Sequence, residues 1–261
     1  MTVDFWDKQI ARATELAGTV DGANGLLHFY QHLLPAQAQV YQYCATQIPS
    51  LSGEVERDLS LLQPAFASIL WAVETAGPPP LVEQAQTLKS VSTEDVDRML
   101  LNYWNEPSDT DFFAKAFLQP YGQFISTVPG LTNSNAASSE RRCPFCGGKA
   151  QLSVLQNKEA GAESGNRDLM CAKCLSRWPF RRLVCAHCGE EHPSKLAYFQ
   201  TPTHDHVRIE ACDTCKHYLK GVDLTRLGTA QPLVDEVAAA PLDLWATEHG
   251  YTKIELNLVG L

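Results

Sequence analysis

Four Cys-x-x-Cys pairs, CPFC at 143–146, CAKC at 171–174, CAHC at 185–188 and CDTC at 212–215, crowd one segment of a 261-residue chain that has only nine cysteines. Two cysteines separated by two residues grip one ion from a tight turn. Two such turns complete a tetrahedron of thiolates about 2.3 Å from zinc, and iron accepts the same four sulfurs. Eight paired cysteines therefore predict two four-thiolate metal sites, built from Cys143, Cys146, Cys171, Cys174, Cys185, Cys188, Cys212 and Cys215. The segment must fold as small turns around metals, because ribbons of this size bury too little apolar surface to stand alone.

Two ways of sharing the ligands are open. Sequential assembly joins the first two pairs in one site and the last two in the other, whereas cross-bracing joins first with third and second with fourth. Twenty-four residues separate Cys146 from Cys171, 23 separate Cys188 from Cys212, and only 10 separate Cys174 from Cys185. Near-equal loops read as an internal duplication and favour the sequential version. Glycine supports it: Gly147 and Gly189 follow the second cysteine of the first and third pairs, while Leu175 and Lys216 hold that place in the others. Each unit then has one glycine turn, suited to positive φ, and one plain turn.

Other uses of the thiols fit less well. A thioredoxin-like dithiol sits at a helix start in a βαβ context that the pattern lacks. A framework of disulfides would leave Cys44 over, and Cys44 lies in the aromatic-rich helical stretch VYQYC, where it reads as a buried structural thiol. His187 and His217 flank the turns, but four thiolates already fill each tetrahedron, so they read as neighbours of the ligands. His204 and His206 alternate along an expected strand and read as a solvated face. Trp178 and Phe180 are expected to pack between the two metal units. Phosphate loops, nucleophile elbows and zinc-protease helices are absent from the sequence, so catalytic machinery is not recognisable.

The net charge of −9 is uneven. Residues 1–140 carry 6 basic and 16 acidic side chains, residues 141–220 carry 13 and 8, and residues 221–261 carry 2 and 6. Two tetrathiolate sites would each add about −2, which leaves the middle segment near neutral and weakens the case for a nucleic-acid surface. An N-terminal basic and apolar leader is missing, and no run is expected to reach the roughly 18 apolar residues of a membrane span. A soluble, cytoplasmic protein follows, where thiols stay reduced and bind metal.

Residues 1–128 read as helical from apolar spacings of three and four, as in LLHFYQHLLPAQAQVYQYCATQI and ERDLSLLQPAFASILWAVETAG. PPP at 78–80 stops a helix, and STED at 92–95 resembles a capping box. The polar run PGLTNSNAASSE marks a linker between about 129 and 142. Beyond it, QLSVLQ, LAYFQ and HVRIEA read as short antiparallel strands with the cysteine pairs at their turns. VDEVAAAPLDLWATEH returns to helix, and TKIELNLV reads as a last strand.

The four pairs, with LSRWPFRRLVCAHCG, IEACDTCKHYLK and PLDLWATEHGY, resemble the formate dehydrogenase accessory protein family, FdhE. The resemblance implies an α+β protein: an α-helical domain over 1–130, rubredoxin-like ribbons over 143–181 and 182–221, and a C-terminal helical segment over 222–261. It implies iron or zinc on the eight cysteines, no catalysis, and a cytoplasmic factor that contacts the catalytic subunit of a formate dehydrogenase and is needed for its activity. Arg141, Arg142, Arg181 and Arg182 are the expected polar contacts. NKEAGAESGN, longer than the family pattern, and the ending NLVGL depart from it. A rubredoxin-like iron electron carrier and a zinc-ribbon nucleic-acid-binding protein are the alternatives; nucleic acid and membrane insertion are not expected.

Overall fold

The structure is a computed structural model that describes residues 3–20, 23–47, 50–131, 139–157 and 166–261. Most of the expected linker, 132–138, and of the long polar loop, 158–165, lies outside these residues. Six helices come first: α1 (Val3–Leu16), α2 (Asn24–Thr46), α3 (Val55–Ala76), α4 (Pro79–Leu88), α5 (Thr93–Asn105) and α6 (Phe112–Thr127). Their limits follow the local chemistry. Ser92 caps α5 by accepting from the Asp95 amide, and the proline run both follows α3 and supplies the first turn of α4, where a missing N–H costs little. Leu33 and Leu34 of α2, Leu62 and Ile69 of α3, and Phe117 and Tyr121 of α6 are fully buried in a shared core.

α3 corrects one expectation. By length and composition, with an 18-residue window of mean hydropathy 1.2, it is long and apolar enough to cross a membrane. Its apolar face packs here against the other helices, and Asp58 in its first turn is buried, accepting from Tyr121 Oη at 2.7 Å and from the Ser52 and Gly53 amides.

The strands are β1 (Ala150–Gln156), β2 (Asn166–Cys171), β3 (Arg177–Pro179), β4 (Leu196–Gln200), β5 (Val207–Cys212), β6 (His217–Asp223) and β7 (Thr252–Lys253). They form one sheet in the order β3-β2-β1-β6-β5-β4, with β7 beside β6. Each cysteine unit is an antiparallel three-stranded meander, and parallel pairing of β1 with β6, Leu152 opposite Lys220 through Leu155 opposite Asp223, fuses the two. Of TKIELNLV, only Thr252 and Lys253 are strand.

The C-terminal helices α7 (Pro232–Ala238) and α8 (Ala240–Glu248) lock this sheet to the rest. Asp235 of α7 accepts from Arg12 Nη2 of α1 at 2.7 Å and pairs with His206 Nε2 at 2.8 Å. Burial works against its charge, yet His206 and Arg12 hold the carboxyl below its ordinary value. Lys220 of β6 is fully buried against Asp243 of α8, and Lys253 reaches Glu236 and Asp243. Removing one member would leave a buried charge without its partner, a change that costs several kcal/mol, about 3–5 in comparable cases.

Candidate metal centres

All eight sequence-selected cysteines gather into two sets, Cys143, Cys146, Cys171 and Cys174, and Cys185, Cys188, Cys212 and Cys215, each with its sulfurs within 4.8 Å of one another. The sets are sequential. In the first, Cys143 and Cys174 Sγ are 3.6 Å apart, and Cys146 lies 3.4 Å from both Cys171 and Cys174. In the second, the Cys185–Cys215 and Cys188–Cys212 separations are both 3.7 Å. A tetrahedron with ligands about 2.3 Å from its centre has edges of about 3.8 Å, so four soft donors stand at spacings that suit zinc or iron.

One turn is used four times. The amide of the residue after the second cysteine donates to the carbonyl of the first: Gly147 to Cys143, Leu175 to Cys171, Gly189 to Cys185 and Lys216 to Cys212, all within 3.1 Å. All four donors have positive φ, +72° at Gly147, +83° at Gly189, 56° at Leu175 and 57° at Lys216. Leu175 and Lys216 are the only non-glycine residues with positive φ among those described. A bulky side chain held there is strained by about 1–3 kcal/mol, which the surrounding turn must over-determine. Amides turned inward by this conformation approach sulfur, as Lys173 N does to Cys171 Sγ at 3.4 Å and His187 N to Cys185 Sγ at 3.4 Å.

The first set sits against the helical domain. An added Cβ at Gly122 of α6 would lie 2.9 Å from Cys174 Cβ, so only glycine lets this knuckle touch the helix. Beside it, Gln119 Nε2 donates to Ala172 O at 2.6 Å, and Lys173 Nζ donates to Trp104 O at 2.7 Å while lying 4.3 Å from its ring centre. Gly148 is just as constrained, because a Cβ would meet Cys171 Sγ at 2.8 Å. The second set is more open: Cys188 is exposed and Cys215 half-buried.

His187 and His217 stack beside the second set with ring centres 3.8 Å apart and planes 14° apart. Their nitrogens and Cys215 Sγ also fall within 4.8 Å of one another. His217 Nδ1 is already engaged with the carbonyl of Cys215 at 2.8 Å. Burial, with His217 next, holds His187 below its ordinary pKa.

Trp178 and Phe180 are buried with Cys143, Cys171, Val184 and Leu219, a cluster that draws on both units. His204 and His206 differ from the expected solvated strand face. β5 starts only at Val207, His204 is buried at the end of a short 3-10 turn, and His206 is bound to Asp235. Cys44 is fully buried, and burial pushes its thiol up to about 12. Arg141 donates to His187 O at 2.7 Å, and Arg181 bridges Glu140 and Glu191, both at 2.7 Å.

Arg167 was not singled out by sequence reasoning. It is buried, pairs with Glu210 at 2.6 Å and donates to the carbonyls of Arg181 and Val184, joining β2 to the segment between the units and to β5. A charged residue inside an expected metal ribbon was the available signal, since such a residue is rarely buried without a partner.

Residues 183–259 match the family model described as "FdhE, C-terminal domain". The chain is 27% identical over 256 residues to the "Protein FdhE homolog" of Aquifex aeolicus, covering 91% of this chain and 89% of that protein. It is 27% identical over 185 residues to "Protein FdhE" of Escherichia coli, covering 68% of this chain and 58% of that protein. Its fold is that of the crystal structure of the FdhE protein from Pseudomonas aeruginosa, with a TM-score of 0.68 and 21% identity over 99% of this chain and 96% of the other.

Proposed function

We propose that this chain is a member of the FdhE family, a non-catalytic, cytoplasmic accessory factor that binds the catalytic subunit of a formate dehydrogenase and is needed for its activity. The observation that carries the reading is the pair of four-thiol sets on matching turns, with the first set pressed onto the helical domain through Gly122. Cys143, Cys146, Cys171 and Cys174 would hold one iron or zinc ion, and Cys185, Cys188, Cys212 and Cys215 the other. Such ions cross-link short turns, and a set of four thiolates leaves no coordination position for substrate or water. The chain's own residues do the rest. Arg167 and the Trp178 cluster join the ribbons, Gln119 and Lys173 join them to the helices, and a composite helix-and-ribbon surface results.

In a strain lacking the gene, the dehydrogenase polypeptide should be present but inactive. The wild-type gene should restore activity and Cys143→Ser should not. Purified protein should co-elute with the catalytic subunit under anaerobic conditions. Normal activity in the deletion strain, with no co-elution, overturns the proposal. Reversible one-electron chemistry of the purified protein would then support the electron carrier.

A further inference from the structure

A cleft between α2, the end of α3, α4, the start of α6 and the C-terminal tail has a volume of about 760 Å³, within the range of small-molecule sites. Leu26 and Phe29 of α2, Leu81 of α4, Phe112 of α6, and Leu258 and Val259 of the C-terminal tail make its walls apolar. Two polar side chains, each more than nine-tenths buried, interrupt them: Lys115 of α6, 5% exposed, and Asn257 of the tail, 4% exposed.

Both offer unspent donors. The Lys115 ammonium donates to the carbonyl of Leu256, its one hydrogen-bond acceptor among the described residues, so it stands beside Asn257 in the chain. The Oδ1 of Asn257 accepts from the amides of Val259 and Leu261 and closes the tail into a loop, while its Nδ2 has no partner. A buried donor without an acceptor costs about 1–3 kcal/mol, so a ligand that supplies one is favoured. Burial also works against the Lys115 charge; the carboxylates of Glu255, Asp109 and Glu236 offset part of that cost, and an anion in the cleft would offset more. Asp109, the one acidic residue lining the cleft, is exposed and solvated.

We propose that this cleft binds an amphiphile with a single carboxylate head and an apolar body, the head accepting from Lys115 Nζ and Asn257 Nδ2 and the body lying between Phe29, Leu81, Phe112 and Leu258. The site is separate from the cysteine sets and does not depend on the partner proposed above.

Decanoate titrated calorimetrically into the full-length, metal-loaded protein tests it. One site per chain is expected. Lys115→Met should weaken binding at least tenfold. Asn257→Asp keeps the acceptor that closes the tail and replaces the free donor by a negative oxygen, so it should weaken binding by a similar factor. Leu81→Trp, which fills the cleft and leaves both donors in place, should abolish binding, and folded variants are verified by circular dichroism. Decyltrimethylammonium, an apolar chain with a cationic head, should not compete. Absence of binding to wild type, equal binding of the cationic amphiphile, or unchanged affinity in both Lys115→Met and Asn257→Asp overturns the proposal.

Discussion

The two cysteine sets share a turn and differ in everything around it. In the first, Cys143, Cys171 and Cys174 are wholly buried, the nearest sulfurs are 3.4 Å apart, and a helix leans on the knuckle through Gly122. In the second, Cys188 faces solvent, the sulfur separations are 3.7 Å, and the stacked imidazoles of His187 and His217 stand beside the turns. Identical donors can therefore serve unlike ends. The donor set decides which metals fit, whereas the packing decides how strongly metal loss is felt elsewhere and how readily competitors reach the sulfurs.

The sharpest way to break that contrast is to remove equivalent ligands. Cys171→Ser and Cys212→Ser should each lose one metal by elemental analysis. The first should lower the calorimetric midpoint by on the order of 10 °C, because the helix–sheet seam loosens with its knuckle, and the second by less than half as much. Equal losses would mean that the packing at α6 adds nothing.

Backbone space gives a smaller effect. Gly148→Ala places a carbon against Cys171 Sγ and should destabilise by about 1–3 kcal/mol in urea unfolding, with weakened metal retention at the first site. Glu190 occupies the equivalent place in the second set, where its carbonyl accepts from Cys185 N as that of Gly148 does from Cys143 N. Glu190→Ala creates no clash and removes only exposed hydrogen bonds from Thr214 and the Glu191 and His192 amides, so it should cost less than about 1 kcal/mol. A larger cost at Glu190 would reverse the ranking of the two sites.

The mildest test is the order of thiol alkylation. With a chelator present, iodoacetamide should label Cys188 first and the first set later, as read by mass spectrometry of timed samples. Cys44, fully buried and with its thiol pushed up to about 12, should react last, on global unfolding. Early labelling of Cys171 would show that the first set opens as easily as the second.

Much of the candidate site was legible because it is local. Cys-x-x-Cys spacing specifies a turn from four residues, and loop lengths with the glycine alternation pointed to sequential sets, which are the sets that form. The positive φ shared by Leu175 and Lys216 was hidden, since glycine alone advertises that conformation. Helices were readable from periodicity, but strands β2 and β6 were not. Asn-Arg-Asp at 166–168 and Lys220-Gly221 break any strand pattern until Arg167 finds Glu210, Lys220 finds Asp243, and Gly221 makes room for the Glu210 carboxylate. Such compensation comes from residues 11 to 43 positions away, beyond the reach of a strand-length window. IELNLV failed in the opposite sense: its alternation reads as a strand, but Asn257 folds it into a loop.

The junction of β1 with β6 has a further meaning. Both meanders run in the same direction across the sheet from first strand to third, so joining the first strand of one unit to the last strand of the next repeats the motif by translation, like tiles laid in one direction. A two-fold arrangement would instead have paired like with like and closed upon itself. This sheet therefore has unlike ends: a three-residue strand with Pro179 at one, and the five-residue β4 at the other. Duplication of this kind has no built-in stopping point, and the edge of β4 already has the form onto which a third tile would be laid.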